Sequence, residues 1–127
     1  MKEVMAIIRM NMINKTKDAL SKEGFPSITC RKVYGRGKQK VNYELIDELV
    51  GGAEVLPIKS AESVSEAHRL IPKRLITLII NDDEVKKVVD TIIEVNKTGN
   101  PGDGKIFVSA ITDAVRVRTG ENGQSAI

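Results

Sequence analysis

The chain is most constrained between residues 75 and 96, where a strand pattern runs straight into a helix pattern. Leu75, Ile76, Leu78, Ile79 and Ile80 form a near-continuous apolar run, the mark of a buried strand. Asn81-Asp82-Asp83 interrupts it, and Val85, Val88, Val89, Ile92 and Ile93 then recur at i, i+3, i+4, i+7 and i+8. That spacing predicts an amphipathic helix over residues 83–96, capped by the polar triplet. Asp82, Asp83 and Glu84 lie at the positive end of its dipole, where acidic groups are stabilising. A glycine-rich loop over 98–104 and a last strand over 105–110 complete this half.

The first half repeats the order. Residues 4–9 favour a strand, residues 11–23 a helix with Asn11 or Asn14 as its cap, and Gly24 sits where that helix would stop. Residues 26–34 read as a second strand, in which Cys30 is expected to be a small buried hydrophobe. Two β-α-β units make an α+β fold, a ferredoxin-like double βαβ sandwich with an antiparallel sheet backed by two helices. The whole chain, residues 1–127, is expected to be one domain. Two helices cover only one face of the sheet, so another subunit is expected on the other.

Between the halves the pattern fails. Residues 36–71 offer no confident core element, whereas ordinary connections run ~4–6 residues. Residues 43–50 and 61–70 are helix-compatible, and Gly51, Gly52 and Pro57 break them apart. A solvated arm that orders on a partner or ligand fits this composition, and so does a loop of small packed helices with no role.

The chemistry-bearing residues cluster at glycine turns. Gly102-Asp103-Gly104-Lys105 delivers a lysine into the last strand, Arg116 and Arg118 follow, and Gly35-Arg36-Gly37-Lys38-Gln39-Lys40 leaves the second strand. Glycines let backbone N–H groups approach an anion, and Lys and Arg supply charge. Each loop alone is an ordinary turn, and neither is a Walker A motif. Their combination favours a polyphosphate such as that of a nucleotide.

A catalytic apparatus is not apparent. His68 is the only histidine, which excludes a multi-histidine metal site within one chain. No nucleophile and base are paired by spacing, so the chain is expected to bind rather than catalyse. A net charge of +3, aromatics at 3% and no Trp argue against base stacking, and no nucleic-acid partner is expected. One cysteine and no apolar run of membrane length fit a cytoplasmic protein.

These residues resemble the PII signal-transduction family, most closely its nitrogenase-regulating archaeal branch. The likeness runs through Thr98-Gly99, Gly102 to Val108 and Arg116-Val117-Arg118-Thr119-Gly120-Glu121, with Ala6-Ile7-Ile8-Arg9, Thr91-Ile92-Ile93 and residues 35–40 also matching. It implies a trimer with a long protruding T-loop, about residues 36–72, and ATP or ADP held between subunits. By the resemblance Gly102, Asp103, Gly104, Lys105, Arg116 and Arg118 would hold the phosphates, and Thr29, Gly35 and Gly37 would lie along the nucleotide. Lys38 stands where many members have Arg; it keeps the charge and loses the bidentate fork. Gln39 would join Mg²⁺ and 2-oxoglutarate, and Lys73 would pair with the distal carboxylate of that acid.

The loop departs from typical members in length, and Val55 stands where some bacterial members carry a modifiable Tyr. Tyr43 lacks that context, which argues against uridylylation. The implied role is non-enzymatic control of nitrogenase by a homotrimer, or by a hetero-oligomer with a sister PII-like subunit. Control of an ammonium transporter or of glutamine synthetase is the alternative.

Overall fold

The computed structural model describes residues 1–38 and 70–127. The expected loop pieces, with Gln39, Tyr43, Val55 and His68, lie outside the described residues. Four strands form one antiparallel sheet: β1 (Lys2–Arg9), β2 (Thr29–Gly35), β3 (Ile71–Ile80) and β4 (Lys105–Ala110), in the order β2-β3-β1-β4. Helix α1 (Ile13–Lys22) links β1 to β2, and α2 (Val85–Asn96) links β3 to β4. The strands of each βαβ unit thus flank a strand of the other, which is the split βαβ, ferredoxin-like arrangement.

Alternation explains the layering. Val4, Ala6 and Ile8 of β1 pair in register with Leu78, Ile76 and Arg74 of β3, placing one apolar row beneath the helices. With Leu20, Val88 and Ile92 from the helices, this row forms a core whose members are almost fully buried. One polar contact is sealed inside it: the Asn96 amide donates to Thr16 Oγ1 at 3.0 Å and to the Ile92 carbonyl at 2.9 Å. Thr16 Oγ1 in turn donates to the Met12 carbonyl at 2.7 Å, tying α2 to the start of α1.

Local chemistry sets the helix ends, with several differences from expectation. Neither Asn11 nor Asn14 caps α1; a 3₁₀ turn at Met10–Met12 leads in and Met12 takes the cap position without a side-chain bond. The stop at Gly24 is as expected. Its φ of +95° closes a Schellman motif, with Gly24 N–H on Ser21 O at 3.1 Å and Phe25 N–H on Leu20 O at 2.8 Å. Phe25 and Leu20 bury together beneath that turn. Helix α2 starts at Val85 because Asp82–Glu84 forms a 3₁₀ turn, and Glu84 Oε2 accepts the Asn81 N–H at 3.1 Å.

Strands β1 and β3 start before residues 4 and 75, since pairing extends wherever a neighbour is available. Strand β2 starts later than expected, at Thr29. Cys30 is exposed rather than buried, because β2 is an edge strand whose helix-side residues Cys30 and Tyr34 are not covered.

The opposite face of the sheet carries Met5, Ile7, Leu75, Ile79 and Phe107, brought together by Met5↔Phe107, Ile7↔Leu75 and Glu3↔Ile79 pairing. Phe107 is 50% and Ile79 37% exposed, and no described element packs over them. Leu78 is the reverse case, at 1% exposure. Leu78→Ala is expected to cost about 2–5 kcal/mol by transfer and cavity terms, read as a lower urea midpoint with unchanged slope.

Candidate functional site at the loop end of the sheet

Register places the loops at one end of the sheet. Gly35 pairs with Ile71, Arg9 with Lys73 and Ile7 with Lys105, so β1 and β2 end where β3 and β4 begin. Arg9, Lys73 and Lys105 alternate onto the face away from the helices, at the foot of the 98–104 loop. Arg9 is buried and paired with Asp103, so the net positive charge at this open end of the sheet comes from Lys73 and Lys105.

The loop is folded around the Asp103 carboxylate. Asp103 Oδ1 accepts from Arg9 Nη1 at 2.7 Å and from the Thr98 hydroxyl. Asp103 Oδ2 accepts the backbone N–H of Thr98 at 2.8 Å and of Gly99 at 3.0 Å. Arg9 Nη2 donates to Pro101 O at 3.2 Å, and Lys73 Nζ donates to Gly102 O at 3.2 Å. Burial pushes the Asp103 carboxyl upward, and the bonds from Thr98, Arg9 and Gly99 outweigh it and hold the group well below the usual carboxylate range. Burial likewise lowers the Lys73 pKa, the Arg9 charge lowers it further, and Asp103 opposes both.

Gly104 shows why the loop needs glycine. Its φ is +123°, and a Cβ there would stand 2.1 Å from the Ile7 carbonyl oxygen. Backbone therefore approaches backbone where β4 joins β1, leaving no room for a side chain.

The remaining sequence candidates fall elsewhere. Gly35, Gly37 and Lys38 are at the same end but beside β2, the opposite edge of the sheet from β4, three strand spacings or about 14 Å away. Thr29 lies six residues up β2, opposite Thr77. Arg116 and Arg118 sit in a C-terminal hairpin closed by a Val115↔Asn122 bridge. Within it Arg116 bonds Glu121 Oε2 at 3.1 Å and Ser125 O at 3.0 Å. Strand β4 carries the chain from Lys105, opposite Ile7, to Ala110, opposite Lys2, before that hairpin. Among the described residues no hydrogen bond or ion pair joins the hairpin to the 98–105 segment. Arg118 has no ion pair or hydrogen bond among the described residues. Gln39 lies outside them.

Sequence reasoning passed over Arg9 and Thr98 as parts of the site. A charge ending the apolar alternation of β1, on the Met5 and Ile7 face, is a readable signal for Arg9. Thr98 has none without the fold of its loop.

Two outcomes follow from this geometry. Gly104→Ala is expected to cost more than the ~1–3 kcal/mol of the backbone strain alone, because Ile7 must also move; thermal unfolding would show it. The carboxyl of Asp103 titrates lower in the folded than in the unfolded chain (~3.9), so its stabilisation is complete above about pH 5. It is lost as pH falls through ~4 toward the folded value. The stability gap between the wild type and Asp103→Asn should therefore stay constant from pH 8 to 5 and shrink below; denaturant titration across pH measures it.

Comparison with known proteins places this architecture. The family model described as nitrogen regulatory protein P-II matches residues 1–121. The chain is 47% identical over 127 residues to a "Nitrogen fixation nifHD region GlnB-like protein 2" of Methanobacterium ivanovii, covering 100% of this chain and 99% of that protein. It is 45% identical over 128 residues to the protein of the same description from Methanothermococcus thermolithotrophicus, covering 100% and 98%. Among solved structures, Arabidopsis thaliana PII bound to citrate superposes with a TM-score of 0.70 at 31% identity, covering 99% of this chain and 91% of that one. With the family model matching residues 1–121 and a relative 47% identical over its full length, the chain belongs to the P-II nitrogen regulatory protein family, a family of signal transducers rather than enzymes.

Proposed function

We propose that this protein senses nitrogen status by binding ATP or ADP together with 2-oxoglutarate, and that it controls nitrogenase through protein contacts made by its T-loop, about residues 36–72. The observation that carries the ligand reading is the convergence of Arg9, Lys73 and Lys105 on the loop built around Gly102–Gly104. The phosphates face Gly102, Gly104 and Lys105. Asp103, an anion whose oxygens are already occupied, acts by folding the loop. Gly35, Gly37, Lys38, Thr29, Arg116 and Arg118 stand too far apart along one chain to surround one phosphate group, which supports a site shared between neighbouring subunits. Exposed Ile79 and Phe107 on the face away from the helices, beside half-buried Met5 and Ile7, support a trimer that buries them.

Among the described residues no cluster of His, Cys, Asp and Glu could hold a metal ion. Mg²⁺ prefers oxygen ligands and keeps substrate phosphates in its shell. By the family resemblance it would be held by Gln39, which lies outside the described residues, together with ligand oxygens, and would there supply positive charge that favours binding of the acid. The acid then binds well only with Mg-ATP, and Lys73 takes its distal carboxylate. ADP, lacking the γ-phosphate, favours another arrangement of the loop, so ligands act by shifting its population.

The nitrogenase assignment rests on relatives described as nifHD region GlnB-like proteins. Their designation as protein 2 supports a sister subunit beside this one. No helix among the described residues is long and apolar enough to cross a membrane, which is compatible with a cytoplasmic setting.

Calorimetric titration of 2-oxoglutarate with and without Mg-ATP tests the reading. Binding is expected only with Mg-ATP, and Lys73→Ala is expected to weaken it about 10- to 100-fold, the worth of one charge-assisted hydrogen bond. Equal binding with and without nucleotide would reject the ternary site. A nitrogenase assay with the sister subunit present should show inhibition that 2-oxoglutarate and ATP relieve.

A further inference from the structure

We infer that the helix-side face of β2 and β3 is a docking surface for an acidic patch of the protein that the T-loop contacts, with Arg74 as its anchor and Lys32 and Tyr34 beside it. The inference rests on the proposal that this protein acts through contacts made at that loop.

Register makes the surface. Lys32 pairs with Arg74 and Tyr34 with Pro72, next to Gly35↔Ile71, where the chain leaves the sheet for the loop and returns from it. Side chains alternate, so Lys32, Tyr34 and Arg74 share the face of Ala6, Ile8 and Ile76, opposite to that of Arg9 and Lys73. The helices cover this face over β1 and leave its outer part open. Tyr34 is 53% exposed, although its partner Pro72 is fully buried. Lys32 Nζ lies 5.5 Å from the centroid of the Tyr34 ring, a cation–π distance that favours a fixed ring.

Arg74 lacks a partner within the fold. It is half-buried, its Nε is fully enclosed without a hydrogen-bond acceptor, and among the described residues its side chain makes no hydrogen bond or ion pair. Directly across on β2 stands another cation, Lys32, and like charges at opposed positions are destabilising. Neither β2 nor β3 contains an acidic residue, and the one carboxylate of β1, Glu3, stands opposite Ile79 toward the far end of the sheet. A lysine on an edge strand deters unwanted strand pairing, which accounts for Lys32. Arg74 is on an interior strand, where that reason does not apply.

A carboxylate docking here offsets the cost of the enclosed guanidinium, since it can accept from Nε and a terminal nitrogen together. Tyr and Arg are the residue types that most often anchor protein interfaces. With cations and no carboxylate on either strand, the surface complements an acidic partner. A single exposed ring does not supply the stacking series used by nucleic-acid strands.

The test titrates a hexaglutamate peptide into the labelled protein and follows the Arg74 Nε–H and Tyr34 ring signals by NMR. Wild type, Arg74→Met and Lys15→Gln are compared. Arg74→Met keeps the apolar stem, and Lys15, exposed on α1, loses the same charge elsewhere. Both signals should shift together in the wild type, and Arg74→Met should weaken the peptide at least about fivefold, with Lys15→Gln within about twofold. An equal loss in Lys15→Gln, or tighter binding of an oligonucleotide of equal charge at the same signals, would overturn the inference. Arg74→Met should unfold at an equal or higher urea midpoint, because a charge without a partner is removed. A lower midpoint would mean that the guanidinium supports the fold, and would also overturn it.

Nitrogenase, with the sister subunit present, is the second probe. Arg74→Met and Tyr34→Ala should each weaken its binding about 10-fold while ATP affinity stays unchanged. Unchanged binding in both variants would reject the surface. If the wild-type protein binds no nitrogenase, the target reading fails separately, and the peptide titration decides the role of Arg74.

Discussion

The position of β1 between β3 and β4 governs everything else in this molecule. Eight residues of β1 pair with β3 on one side and six with β4 on the other, all antiparallel. Side chains alternate with a period of two, so a slip of one residue would send Val4, Ala6 and Ile8 to the uncovered face and Arg9 under the helices. The burial of that apolar row fixes the register. In the correct register Arg9 meets Lys73, Ile7 meets Lys105, and the cationic end of the sheet comes into being as a consequence of core packing.

The loop over 98–104 is then built onto that end by two unlike devices. One is steric: Gly104 brings backbone against the Ile7 carbonyl where any Cβ would collide. The other is polar: Asp103 draws in Thr98, Gly99 and Arg9 and is held ionised by them. Neither works without the strands beneath it. A carboxylate in this partly enclosed place would be unfavourable without donors, and the donors converge only because β1 and the loop are side by side.

Much of this was legible from local pattern. The α2 stripe, the Gly24 stop and the bounds of β4 follow from periodicity and turn chemistry, which act over a few residues. The elements read less well were those decided by neighbours. Cys30 sits in a strand that looks buried, but edge position leaves it open. Asn11 and Asn14 are good caps that the 3₁₀ entry at Met10–Met12 made unnecessary. In the site, the glycines and Lys105 stood out as types. Thr98 and Arg9 did not, since their roles lie in partners rather than in composition.

By itself, therefore, the order of residues determined the alternation of strands and helices, the apolar face of each, the glycine turns and the inventory of cations beside them. Each depends on contacts a few positions along the chain, where side-chain period and backbone dihedrals suffice. Tertiary structure alone decided which strands became edges, which sheet face stayed uncovered and which cation received the Asp103 carboxylate. Arg9 and Asp103 are 94 positions apart, and their 2.7 Å contact exists only because the core sets the register that joins them.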